Sequence, residues 1–139
     1  MLNILVIGSG AREHAIVGSL SRSSKKKEIY CLATNYNPGI AEVCKDISIA
    51  DINDPETVKI YAKKKKIDFA IIGPENPLAN GVADALSDIG VESVGPKKDL
   101  AKIETSKSFT RNLLTEYKIP WMPKIQNLFK YGGCRRVFR

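Results

Sequence analysis

Cysteine is scarce in this sequence and histidine scarcer: three cysteines and one histidine among 139 residues. Cys31, Cys44 and Cys134 form no C-x-x-C pair and no zinc-ligand spacing. An odd count with wide gaps reads as reduced thiols in a reducing compartment. A lone His14 excludes a His-rich metal site. Aromatic residues make up only 7 %, and none interleaves with the lysine runs. A stacking platform for single-stranded nucleic acid is therefore excluded. Long apolar runs are missing too; none approaches the roughly 20 residues of a membrane span. The chain enters an apolar stretch directly at Leu2, which argues against a signal peptide. The expected compartment is the cytoplasm.

Acidic residues are outnumbered, 15 against 22 bases, for a net charge of +7. Such a balance suits nucleic acid, a membrane surface or a small anion. Most of the excess sits in Lys25-Lys26-Lys27 and Lys63-Lys64-Lys65-Lys66. The first run falls in a loop and the second closes a helix, where cations complement the dipole. Both read as solvated surface, so neither nucleic acid nor membrane is an expected partner. Hydrophobic content of 43 % and charged content of 27 % suit one globular domain.

The most informative stretch is Leu2–Ala15. An apolar run (LNILVIG) meets the turn Gly8-Ser9-Gly10 and then Ala11-Arg12-Glu13-His14-Ala15. This reads as a buried strand, a glycine turn and a helix start. Glycines let the backbone approach a ligand closely, and the first helical N–H groups lack internal partners. Together with the helix dipole they favour an anion, foremost a phosphate. The alternative is a tight turn with no ligand. A dinucleotide fingerprint wants Gly or Ala where Glu13 stands, and an acid after the second strand, where the chain reads Leu32-Ala33-Thr34-Asn35. Nicotinamide and flavin are thereby demoted.

Strands are expected near residues 3–7, 29–33, 46–50, 67–73 and 91–94. Helices are expected over 11–21, from Asp54 into the second lysine run, over 78–89, 97–103 and 106–117. The order predicts an α/β fold: an open Rossmann-like parallel sheet with helices on both faces. Ligands in such sheets bind beyond the carboxyl ends of the strands. That rule selects four loops, residues 8–13, 35–39, 73–78 and 95–97, to line one crevice. Glu75, between two prolines, suits sugar hydroxyls or serves as a helix-capping acid. Arg12 offers a fork for phosphate or a surface salt bridge. His14 reads as packing rather than catalysis, and no catalytic residue is assigned.

Gly8-Ser9-Gly10-Ala11-Arg12-Glu13-His14-Ala15 resembles the opening signature of the phosphoribosylamine–glycine ligase family, with Ala11 where that family usually has Gly. Asn37-Pro38-Gly39-Ile40-Ala41, Gly73-Pro74-Glu75-Asn76-Pro77-Leu78, Gly95-Pro96 and Glu104-x-Ser106-Lys107-x-Phe109 follow in the family's order. The resemblance covers about residues 1–125. It implies a pre-ATP-grasp domain over 1–104, a linker helix over 105–125 and an atypical tail over 126–139.

It further implies an enzyme that activates glycine with ATP and Mg²⁺ or Mn²⁺ and joins it to 5-phosphoribosylamine in purine synthesis. The substrate-facing residues it implies are Gly8, Ser9, Gly10, Arg12, Glu13, Asn37, Pro38, Gly39, Gly73, Pro74, Glu75, Pro77, Leu78, Gly95 and Pro96. Lys107 resembles a lysine that reaches nucleotide phosphate. The ATP-grasp domain has no counterpart here, so this chain is expected to be inactive alone and to hold neither ATP nor metal. The rival reading is a free-standing module for a phosphorylated sugar or nucleotide. Apolar area left on helix 106–117 and Trp121 favours self-association of the fragment as a homodimer.

Overall fold

The computed structural model describes residues 1–120. The described residues divide after Ala101 into two units, Met1–Ala101 and the residues from Lys102 onward. The first unit holds a parallel five-stranded sheet: β1 (Leu2–Ile7), β2 (Lys27–Ala33), β3 (Asp46–Ile49), β4 (Phe69–Ile72) and β5 (Glu92–Val94). The spatial order is β3-β2-β1-β4-β5. β1 is central: Ile4 lies opposite Ile29 on one side and Phe69 on the other. An all-parallel sheet needs cover on both faces, which explains the continuous apolar runs LNILVI and FAII.

Side-chain alternation along the strands splits the core in two. Leu5, Ile7, Tyr30 and Leu32 pack against α3 (Pro55–Lys65) and α5 (Val82–Ser87) through Val58, Tyr61, Val82 and Leu86. Val6, Cys31 and Ala33 pack against Val17 of α1 (Ala11–Ser21) and Ile40 of α2 (Pro38–Ala41). Burial pushes the Cys31 thiol up to about 12 and the Cys44 thiol up to about 11, so both are apolar fillers rather than nucleophiles at neutral pH. Cys134 lies outside the described residues.

Local chemistry sets the helix ends. Asp54 caps α3 by accepting from the N–H groups of Glu56 (3.2 Å) and Thr57 (3.1 Å), and Pro55 takes the first helical position. The helix ends in Lys63, Lys64 and Lys65, and Lys66 turns left-handed at φ 52°. At the end of α1, the Lys27 ammonium donates to the carbonyls of Ser23 (2.7 Å), Lys25 (3.3 Å) and Ser21 (3.4 Å). One lysine of the first run is therefore a helix-end anchor and the first residue of β2, not a solvated loop residue.

The helix expected over 78–89 is two helices, α4 (Glu75–Asn80) and α5. Gly81, at φ 91°, adopts the left-handed conformation that ends one and begins the next. The apolar spacing of Leu78, Val82 and Leu86 hides this break, because all three still face the sheet. α6 (Lys98–Thr105) contains the point of division between the units, and α7 (Lys107–Glu116), capped by the Ser106 hydroxyl, belongs to the second. Trp121 lies outside the described residues.

At the start of the edge strand β3, Asp46 accepts from the hydroxyls of Tyr61 (2.7 Å) and Ser48 (3.1 Å) and pairs with Lys65 (3.1 Å). The Tyr61 hydroxyl, then Lys65 and Ser48, hold the Asp46 carboxyl below its ordinary value. A depressed carboxyl stabilises the fold above its unfolded value, about 3.9, and that stability is lost as pH falls through the folded value. Asp46→Asn is therefore expected to lower the urea midpoint at pH 7 and to lose that deficit as the titration is moved toward pH 3. A deficit independent of pH would remove the charge from this account.

Candidate functional site

A crevice of roughly 630 Å³ opens at the carboxyl ends of the strands, where the strand order reverses beside β1. Gly8, Ser9, Gly10 and Glu13 line it from the β1–α1 turn, Asn37 and Pro38 from the β2–α2 loop, and Pro74 from the β4–α4 loop. Thr34, Asn35, Tyr36 and Ile52 complete the wall. Tyr36 stands 64 % exposed at this site. Sequence reasoning did not single out these four. Asn35 and Tyr36 sit inside a loop already chosen, whereas Ile52 comes from the β3–α3 link, which bears no motif.

The β1–α1 turn is built around Glu13. Gly8 runs at φ 110°, a conformation that disfavours side chains. Glu13 is only 5 % exposed, and its Oε2 accepts from the Gly10 N–H at 2.6 Å. A Cβ added at Gly73 would lie 2.0 Å from Glu13 Oε1, at Gly10 2.9 Å from Oε2, and at Gly8 3.0 Å from its Cγ. Three glycines from two loops thus make the space that this one carboxylate fills. Here lies the physical reason that Glu13 replaces the small residue of a dinucleotide fingerprint. A carboxylate already takes the N–H group that an anion would want.

The neighbours of Glu13 fasten the loops together. Arg12 donates from Nη1 to the Gly73 carbonyl at 2.6 Å and from Nη2 to Glu75 Oε1 at 3.3 Å. Both partners of that ion pair are open to solvent, at 60 % and 47 %. The N–H at the start of α4, and then Arg12, hold the Glu75 carboxyl below its ordinary value, so it stands ionised. Asn37 donates from Nδ2 to the Ser9 carbonyl at 2.9 Å while its Oδ1 caps α2 by accepting from Ile40 at 3.3 Å. His14 lies over Gly39, where a Cβ would meet its Cε1 at 2.4 Å. Gly39 is therefore the bare surface that lets the imidazole lie there.

The remaining expected residues sit elsewhere. Pro77 and Leu78 are the buried residues of α4 itself. Gly95, at φ 146°, follows β5 at the sheet's edge, and a Cβ there would meet Leu78 Cδ2 at 2.7 Å. The 95–97 loop does not line the crevice, because β4 separates β5 from β1. Four loops were expected; the wall instead uses the loops after β1, β2 and β4 together with Ile52. Lys107 is the first residue of α7 in the second unit. Among the described residues no group of three or more His, Cys, Asp or Glu side chains could hold a metal ion. Among the described residues, no helix is long and apolar enough to cross a membrane.

A parallel five-stranded sheet with helices on both faces defines a Rossmann-like domain. The family model described as "Phosphoribosylglycinamide synthetase, N domain" matches residues 2–104, and the chain belongs to that family. It is 45 % identical over 131 residues to a phosphoribosylamine–glycine ligase of Methanocaldococcus jannaschii, covering 94 % of this chain and 29 % of that protein. A ligase of the same name from Methanococcus maripaludis is 44 % identical over 132 residues, 95 % of this chain and 30 % of that protein. The chain thus spans about 30 % of the length of these curated relatives.

Among solved structures, the fold is similar to N5-carboxyaminoimidazole ribonucleotide synthetase from Thermotoga maritima, with TM-score 0.71, 18 % identity, and cover of 98 % of this chain and 36 % of that one. It is also similar to phosphoribosylglycinamide synthetase from Anaerococcus prevotii, with TM-score 0.61, 16 % identity, and cover of 84 % and 29 %. At these identities the likeness concerns the fold alone.

Proposed function

We propose that this chain is the phosphoribosylamine-binding part of a ligase that joins glycine to 5-phosphoribosylamine at the expense of ATP, a step of purine biosynthesis. One observation supports this reading above the others. The crevice at the switch point is walled by Gly8, Ser9, Gly10, Glu13, Asn37, Pro38 and Pro74, which belong to the motifs that carry the family resemblance. Glu75, ionised beside Arg12 at the start of α4, accepts ribose hydroxyls. The guanidinium is the cation nearest at hand for the phosphate, by exchange of its exposed Glu75 partner. ATP and glycine are handled by parts of the relatives that this chain does not span. ATP would supply the acyl-phosphate activation of glycine. The described residues do not fit a metal, so no step is assigned to one.

Phosphoribosylamine is an unstable amine, so ribose 5-phosphate is the practical probe. Calorimetry with ribose 5-phosphate is expected to give saturable binding to the 139-residue chain. Glu75→Gln removes the charge that accepts the hydroxyls and is expected to weaken binding about tenfold, the size of one charge-assisted hydrogen bond. Equal affinity of the two proteins would remove Glu75 from the site.

A further inference from the structure

The two lysine runs are far apart in sequence and adjacent in the fold. All five strands are parallel, so they start at one end of the sheet, opposite the crevice. Lys25 and Lys26 lead into β2, and Lys63–Lys66 lead into β4. These strands are the two neighbours of β1. The first residues of β1 fasten both runs. The Leu2 N–H donates to the Lys26 carbonyl at 3.2 Å, and Asn3 donates from Nδ2 to the Lys66 carbonyl at 2.9 Å. The runs therefore stand side by side, about 10 Å apart at two strand spacings.

Within this face the lysines divide by role. Lys27 and Lys65 are half-buried and structural. Lys27 holds carbonyls at the end of α1, and Lys65 pairs with Asp46 over the rings of Tyr30 (5.9 Å) and Tyr61 (5.7 Å). The carboxylates at the starts of β2, β3 and β4 are all engaged: Glu28 by Lys45 and the Tyr30 hydroxyl, Asp46 as above, and Asp68 by the Asn3 N–H at 2.7 Å. Lys25, Lys26, Lys63, Lys64 and Lys66 are exposed and form no ion pair among the described residues. Glu42, before β3, and Asp88 and Glu92, at the start of β5, bound this basic face on its two sides.

We propose that the face docks the phosphate backbone of a nucleic-acid duplex. Lysines are compact point charges that neutralise phosphates and release their counterions without reading sequence. Lysine is depleted in protein–protein interfaces, whereas interfaces with nucleic acid are strongly basic. Among the described residues of the first unit, the exposed aromatic side chain is Tyr36, which stands at the crevice. The lysine face thus has no aromatic group to stack on the bases of a single strand or to anchor in a lipid interface. A duplex encloses its bases and turns its phosphates outward, so it needs only the charges that are there. Met1 and Leu2, exposed between the runs, make an anionic membrane the main rival. The inference is independent of the sugar site, which lies at the opposite end of the sheet.

The test is fluorescence anisotropy of a labelled duplex DNA titrated with the full chain over a salt series. Each phosphate neutralised adds about −0.9 to the slope of log affinity against log salt, so these five lysines give about −4.5, a loss of roughly 500-fold between about 50 and 200 mM salt. Lys25→Gln/Lys26→Gln and Lys63→Gln/Lys64→Gln are each expected to make the slope shallower by about two. Lys97→Gln, on the loop after β5 at the other end, is expected to leave it unchanged. All these side chains are exposed, and an unchanged urea midpoint shows that each variant is folded. A slope that either double variant leaves at the wild-type value would overturn the proposal, because that run would then touch no phosphate. No duplex binding at the lowest salt would overturn it too. Binding to phosphatidylserine vesicles with none to the duplex would give the face to a membrane instead.

Discussion

Gly73→Ala is expected to lower stability by about 3 kcal/mol, a large effect for a single methyl group at a loop position. The new Cβ would stand 2.0 Å from Glu13 Oε1, 2.5 Å from its Cδ and 2.6 Å from its Cγ. A long exposed side chain would simply swing aside. Glu13 cannot do so cheaply, because Gly8 and Gly10 hug it from the other side and its Oε2 holds the Gly10 N–H. Displacing it leaves that bond broken and adds overpacking. Urea titration measures the loss. The double variant Gly73→Ala/Glu13→Ala is the control: the methyl group then enters space the carboxylate has left. Its loss is expected to be well below the sum of the two single losses. Strict additivity would mean that Glu13 does not sit where it is described.

Leu5→Ala is the second large effect, about 3 kcal/mol. Leu5 is fully buried at the middle of the central strand, among Ile7, Tyr30, Leu32 and Leu86. Its neighbours on β2 and β4 are held by strand pairing, so the void cannot collapse. Leu2, on the same strand but 41 % exposed, gives the contrast: Leu2→Ala is expected to stay within about 0.5 kcal/mol. Comparable losses at the two positions in urea would contradict the assigned core. Because β1 ends at Gly8, the Leu5 variant also tests whether the crevice depends on a rigid sheet beneath it.

The strands were legible because a parallel sheet buries both faces and leaves long apolar runs, as in LNILVI and FAII. Helix α3 was legible from Asp54-Pro55-Glu56, a cap followed by a residue suited to the first turn. The break at Gly81 was not, since apolar spacing reports the buried face and says nothing of a left-handed glycine within it. In the site, the glycine turn and the acids were visible as residue types. Their division of labour was not: pattern cannot reveal that Glu13 points inward while Arg12 and His14 reach to Gly73 and Gly39. Leu78 belongs to a motif and to the core at once, and only packing separates the two roles. Ile52 reaches the crevice through the path of the β3–α3 link, which no motif marks.

The central claim is that the crevice beside β1 receives a phosphorylated ribose. The most direct measurement is an amide-shift map of the labelled chain titrated with ribose 5-phosphate. The account predicts saturable shifts at Gly8, Ser9, Gly10, Asn37 and Glu75, with β5 and the Lys63–Lys66 run unmoved. Shifts confined to the lysine runs, or none at all, would contradict it.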